Sequence, residues 1–149
     1  MPQNTKLARS AKVAEKAKIN SLRLISLQSR IDESINPWQV EELFASVNQK
    51  VRFNYQTKGR ITCYVDFDFA AGDEEEVEPF LTIQASFELV YEIGKQQKIT
   101  KADAKSFCEL NAVFNAWPYW RELLQNQMSR MNCPPIIVPL FKLPASPKK

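Results

Sequence analysis

Residues 81–93 read LTIQASFELVYEI, and in them Leu81, Ile83, Ala85, Phe87, Leu89, Tyr91 and Ile93 alternate with Thr82, Gln84, Ser86, Glu88, Val90 and Glu92. A strand with one dry and one wet face makes this pattern, because successive side chains point to opposite faces of a sheet. The same period runs through Ile61, Cys63, Val65, Phe67 and Phe69, set between Thr62, Tyr64, Asp66 and Asp68. It recurs in Leu43, Ala45, Val47, Val51, Phe53 and Tyr55, with Gln49 as the one break. Lys58-Gly59 and the acidic stretch around Gly72 supply the turns. Three long strands joined by short polar connections predict an antiparallel meander.

Working outward, residues 21–31 hold Leu22, Leu24, Ile25, Leu27 and Ile31 among polar neighbours and read as a first strand, closed by a turn at Asn36-Pro37. Residues 3–19 are rich in Ala and Lys and predict a helix, but its apolar stripe of Leu7, Ala11 and Ala14 is thin, so it must dock to be stable. After Gly94 the period lengthens. Thr100 and Asp103 have capping-box spacing, and Phe107, Leu110, Val113 and Phe114 follow at helical intervals. Trp117, Trp120, Leu124, Met128 and Met131 continue the helical spacing, with Pro118 expected at the first turn of a second helical segment or at a kink. Five prolines after Cys133 make the tail, CPPIIVPLFKLPASPKK, an extended apolar arm. The predicted class is α+β: a four-stranded antiparallel sheet with helices on one face, preceded by an extra helix. Trp117, Trp120, Met128 and Met131 exceed what one sheet face needs, which predicts self-association through that helix.

Composition narrows the chemistry. The chain has 149 residues and no histidine, so the usual side chain for acid–base work and the commonest metal ligand are missing. Three glycines, at 59, 72 and 94, cannot build a phosphate-cradling loop. Cys63, Cys108 and Cys133 are odd in number and lack paired zinc or redox spacing, which fits a reducing, cytoplasmic setting. No secretory signal or membrane-length apolar run is present. No catalytic set, metal or cofactor is expected, and no membrane partner.

The formal charge of +3 is unevenly spread. Residues 1–20 carry Lys6, Arg9, Lys12, Lys16 and Lys18 against Glu15, a net +4, which leaves the remaining 129 residues at −1. A nucleic-acid or ribosome contact through those bases is therefore the alternative reading, set against a solvated or docked helix. Asp66, Asp68, Asp73, Glu74, Glu75, Glu76 and Glu78 run the other way, and Asp73 to Glu78 read as a solvated hairpin tip or, alternatively, a contact to a basic client or partner.

From Phe114 onward, FNAWPYWRELLQNQMSRMNCPPIIVPLF resembles the SecB family of export chaperones and their SecB-like relatives, some of which protect antitoxins. The residues that carry it are Trp117, Pro118, Tyr119, Arg121 and Glu122 at the helix start, Arg130 near its end, then Pro134, Pro135 and Pro139. The resemblance spans about residues 21–144, leaving 1–20 as the basic helix and 145–149 as a flexible tail. It implies a sheet backed by the main helix, a homotetramer built as a dimer of dimers, and ATP-independent holding of unfolded polypeptide. On this reading Pro118, Tyr119, Arg121 and Glu122 fix the helix start and its subunit packing, Trp117, Trp120, Leu124, Met128 and Met131 are core or tetramer interface, and Ile136, Ile137, Val138, Leu140 and Phe141 are the candidate client groove or else pack on the sheet edge. The family's sheet also meets the translocase motor SecA through an acidic outer face. Here the outward set on the second strand is Ser46, Asn48, Lys50, Arg52 and Asn54, neutral to basic, which favours a SecB-like chaperone outside the export pathway. The family's final helix has no counterpart before Lys149.

Overall fold

A computed structural model describes residues 3–56, 59–73, 78–94, 98–136 and 138. Four antiparallel strands form one sheet: β1 (Ala17–Ile31), β2 (Phe44–Gln56), β3 (Arg60–Gly72) and β4 (Leu81–Ile93), in the order β1-β4-β3-β2. The meander expected from the period-two runs is β2-β3-β4, with Val51 opposite Val65 and Val65 opposite Phe87. β1 returns along the free side of β4, and residues 32–43 cross from one edge of the sheet to the other to start β2. Two register shifts in β1, at Ile19/Ser21 and Leu24/Ser26, leave Asn20 and Ile25 out of the pairing. They explain why β1 lacks the clean alternation of its neighbours.

The dry face is where the alternation put it. Ile61, Cys63, Val65, Leu89 and Ile83 are fully buried, and Phe67, Phe69, Phe87 and Tyr91 nearly so. Phe67 is the hub. Its ring stacks on Trp120 with centroids 5.0 Å apart and meets Trp117 and Phe87 edge-on at 5.7 and 6.0 Å. Gln49, the break in the β2 pattern, sits opposite Phe67 in the register and stays exposed on the half-covered edge strand.

The helical layer is one nearly continuous rod: α2 (Lys101–Phe107), a π-helical segment (Cys108–Ala112) and α3 (Val113–Arg130). The capping box forms as expected, with Thr100 Oγ1 accepting from Asp103 N–H and Asp103 accepting from Thr100 N–H. Pro118 lies inside α3 instead of starting a new segment. The irregularity lies upstream of it in the π segment, a widened turn that lets the rod continue. Tyr91 O–H, pushed up to about 12 by burial, accepts from Asn115 Nδ2 at 2.8 Å and ties α3 to β4.

Trp117, Trp120, Leu124 and Met128 are all buried within the chain, which is the core alternative for these residues. The uncovered apolar surface lies elsewhere, at Phe114 and Tyr119 on α3 and at Ile19, Leu24, Ile25 and Leu27 on β1, each between 40% and 54% exposed. Cys63 on β3 and Cys108 in the π segment form a disulfide that the spacing of the cysteines does not announce, and Cys133 is a free thiol, buried and with its pKa raised by that burial.

The first helix, α1, covers Gln3–Ala14 and stops short of the 20 residues expected, because Ala17–Asn20 already belong to β1. It is docked. Val13 and Ser10 are fully buried, and α1 rests chiefly on α2 and the π segment. Lys6 pairs with Glu109, Lys12 Nζ sits 3.1 Å from Asp103, Arg9 approaches the same carboxylate at 4.0 Å, and Ser10 bonds Asn111. Burial works against the charge on Asp103, but hydrogen bonds from Thr100 and Lys12 outweigh it and hold the carboxyl below its usual range.

Phe67→Ala should cost about 3–5 kcal/mol of unfolding free energy, since it removes the ring on which two tryptophans and a phenylalanine close; a urea titration reads it directly. The α1 clasp should be acid-sensitive. With the folded pKa of Asp103 below the ordinary 3.8, its contribution is fully present above that value and is lost as pH falls through the folded pKa. Amide exchange in α1 should therefore speed up selectively under acid, and Asp103→Asn should remove that pH dependence.

Candidate functional site

The end of α3 is built by a short stretch of sequence with an unusual backbone. Asn132 takes a left-handed conformation at φ 53°, which asparagine tolerates better than most residues. Its N–H reaches Ser129 O at 3.1 Å and Cys133 N–H reaches Met128 O at 2.9 Å, so the last helical carbonyls are capped as in a Schellman stop. The chain then leaves as an extended arm.

On the crossover between β1 and β2, Asn36 caps a short 3-10 helix, Pro37–Gln39, by accepting from Trp38 N–H at 3.1 Å. Pro37 presets the turn, and the turn carries Trp38 to the α3 stop, where its indole N–H donates to Asn132 O at 2.7 Å. The ring is anchored at its polar end yet remains 58% exposed. Between the crossover, the end of α3 and the arm lies a cleft of about 530 Å³, lined in part by Trp38, Met128, Cys133, Pro135 and Ile136. Its lining is mixed, with Gln125, Ser129 and Asn132 sharing it with the apolar side chains. Such a volume accepts one or two large side chains of a polypeptide, and the polar lining groups can bond their backbone.

Of the proposed groove residues, Ile136 lines this cleft. Val138 does not: it is 2% exposed and part of the core. Ile137, Leu140 and Phe141 lie outside the described residues. Among the motif residues, Pro118, Tyr119 and Glu122 are exposed, Arg121 and Met131 are half-buried, and Met128 reaches the cleft from the core side. Trp38 escaped the sequence reading. The signal for it was a large aromatic directly after a turn-forming Asn-Pro, off any strand period and with no core role to explain it.

The alternative sites look different. On α1, Lys6, Arg9 and Lys12 face Glu109 and Asp103, so much of the basic charge is spent inside the chain. On the outer sheet face Arg52 forks onto Asp66 at 2.8 and 2.9 Å, Ser86 O–H donates to the same carboxylate at 2.6 Å, and Arg23 pairs with Glu88 at 2.9 Å. The Arg52 bond holds the Asp66 carboxyl below its usual range. These charges neutralise one another across strands. No group of three or more Cys, Asp or Glu placed to hold a metal occurs among the described residues, and no helix there is long and apolar enough to cross a membrane.

No family model matches the chain, and no curated protein matches it in sequence. The solved structures include a match at TM-score 0.80: the Mycobacterium tuberculosis Rv1957 SecB-like chaperone in complex with a ChAD peptide from the Rv1956 HigA1 antitoxin. That match covers 93% of this chain and 99% of the other, at 16% identity. Sheet, long helix and leading helix agree in one α+β arrangement, and in fold this chain is SecB-like.

Proposed function

We propose that the chain is an ATP-independent holding chaperone, not an enzyme, that takes up non-native polypeptide in the Trp38 cleft. The observation that carries this is the cleft itself: an indole anchored through Asn132 and more than half exposed lines it beside Met128, Pro135 and Ile136, with Gln125, Ser129 and Asn132 able to bond a client's backbone. Methionine and aromatic walls repack around varied side chains, which suits clients without a common sequence. The Mycobacterium tuberculosis neighbour holds an antitoxin peptide, which supports an antitoxin-type client over an exported precursor. The self-paired outer face, with no acidic surplus on β2, supports a cytoplasmic role without SecA.

The assembly in this reading is a homotetramer, a dimer of dimers. Its driving surface is the helix-side face of β1, where Ile19, Leu24 and Leu27 pair in register with Tyr91, Phe87 and Ala85 of β4 yet stay 40–46% exposed because α3 does not reach over them. Apolar rows of this kind on an edge strand rarely remain open to water.

Two measurements test the reading. Trp38→Ala should weaken binding of a fluorescent, permanently unfolded polypeptide by about tenfold to thirtyfold, the loss of one aromatic anchor, with little change in thermal stability because the ring is largely solvent-facing. Wild-type protein that neither binds such a chain nor suppresses aggregation without ATP would sink the proposal. In light scattering, wild type should weigh about four chains, and Leu24→Asp with Leu27→Asp should lower that mass; an unchanged mass would move the contact away from β1.

A further inference from the structure

We propose that Cys63–Cys108 is a redox latch that locks the α1–α2 layer onto the sheet. The bond joins the middle of β3 to the first residue of the π segment, 45 residues apart in sequence, with Cα atoms separated by 5.7 Å. Both cysteines are fully buried. In the sheet Cys63 sits between Phe53 and Leu89, and next to Cys108 the Phe107 ring meets Tyr91 edge-on at 4.7 Å. Surroundings this apolar accept two thiols as readily as one disulfide, since a free cysteine packs like a small hydrophobe. The Cα separation lies within the range that bridges form across without moving the backbone, so either state fits the native fold.

The latch lies between two other anchors of the helical layer. α3 is fixed by the Phe67–Trp120 stack and by Asn115 to Tyr91, and the start of α2 by the bond from Tyr55 O–H to Ile99 O at 2.8 Å. Between these two points the π segment interrupts the regular helix, and α1 rests chiefly on this segment and on α2. α1 is also held by ion pairs to Glu109 and to the buried carboxylate of Asp103, and by the Ser10 bond to Asn111. A covalent tie at Cys108 thus restrains α2, the π segment and α1 together.

The chemistry balances as a thiol–disulfide exchange. A dithiol reductant supplies two electrons and two protons, the sulfur–sulfur bond breaks to give the Cys63 and Cys108 thiols, and the reductant leaves as its own disulfide. The reverse step uses a disulfide-class oxidant. Because both sulfurs are buried and held among apolar groups, attack in either direction requires the layer to open first, so closed protein exchanges slowly. In a reducing compartment the dithiol state lets the layer open, baring the underside of α1 and α2 at Val13, Ala104 and Phe107; oxidation shuts it.

Hydrogen exchange with mass detection on the full wild-type chain, oxidised and after dithiothreitol, tests this without any substitution. The oxidised chain should be about 2 Da lighter, and reduction should speed exchange about tenfold in residues 3–14 and 101–112 while 61–71, 81–93 and 113–130 stay within about twofold. Cys63→Ala with Cys108→Ala should reproduce the reduced pattern and no longer respond to reductant. No mass difference, unchanged exchange in the α1–α2 layer, or a uniform rise across the chain would each overturn the latch. Client binding plays no part in the readout, so the outcome stands apart from the chaperone reading.

Discussion

Phe67 decides how the two layers meet. Its ring lies parallel to the Trp120 indole to within 5°, with Trp117 and Phe87 edge-on around it. Offset stacks and edge contacts of this kind add to the large area each ring buries. The stack is formed even though the Trp120 indole N–H has no acceptor among the described residues, a cost that shows how strongly packing dominates here. Fixing α3 on β3 and β4 fixes everything that α3 cannot cover. The helix is one rod wide and the sheet four strands wide, so the edge strands keep half-covered inner faces. β2 fills part of its side with Val47, Val51, Phe53 and Tyr55 against the core. β1 keeps Leu24 and Leu27 open.

The same geometry explains which parts were legible from sequence. β3 and β4 are central, with one face fully buried, and their side-chain period had to be strict, so their limits were readable within a few residues. β1 is an edge strand with two register shifts, and the shifts scramble the alternation that would have located its start at Ala17. Helical spacing located Trp117, Trp120, Leu124 and Met128 on one face, but spacing does not say whether that face meets its own sheet or another chain. Only the width of the aromatic hub answers that. The disulfide was invisible for a related reason: Cys63 and Cys108 each fit their element's apolar period, and nothing in a period reports which strand position a helix will cross.

The cleft was the least legible part because it is made where periods end. Trp38 stands in a turn, Asn132 at a helix stop and Ile136 in an arm without regular structure. Each alone is an ordinary punctuation residue. Their convergence depends on the crossover from β1 to β2 passing the C-terminal end of α3, a consequence of strand order that local sequence does not encode. The arm was identified as apolar, yet its described residues divide, Val138 into the core and Ile136 toward the cleft.

A cleft of this size also bears on how a holding chaperone would work. One aromatic side chain buries roughly 150–250 Å², or about 4–6 kcal/mol at 25 cal/mol per Å², and the ordering of a flexible polypeptide takes much of that back. In such a chaperone a single Trp38 cleft would therefore grip weakly and would release its client without nucleotide hydrolysis. Firm holding needs several clefts on one client, since tethering converts later contacts into intramolecular ones and can raise avidity about 10²–10⁴-fold with no new kind of contact. In the proposed assembly the apolar row on β1 does that work indirectly. By drawing copies together it would multiply the clefts open to one client.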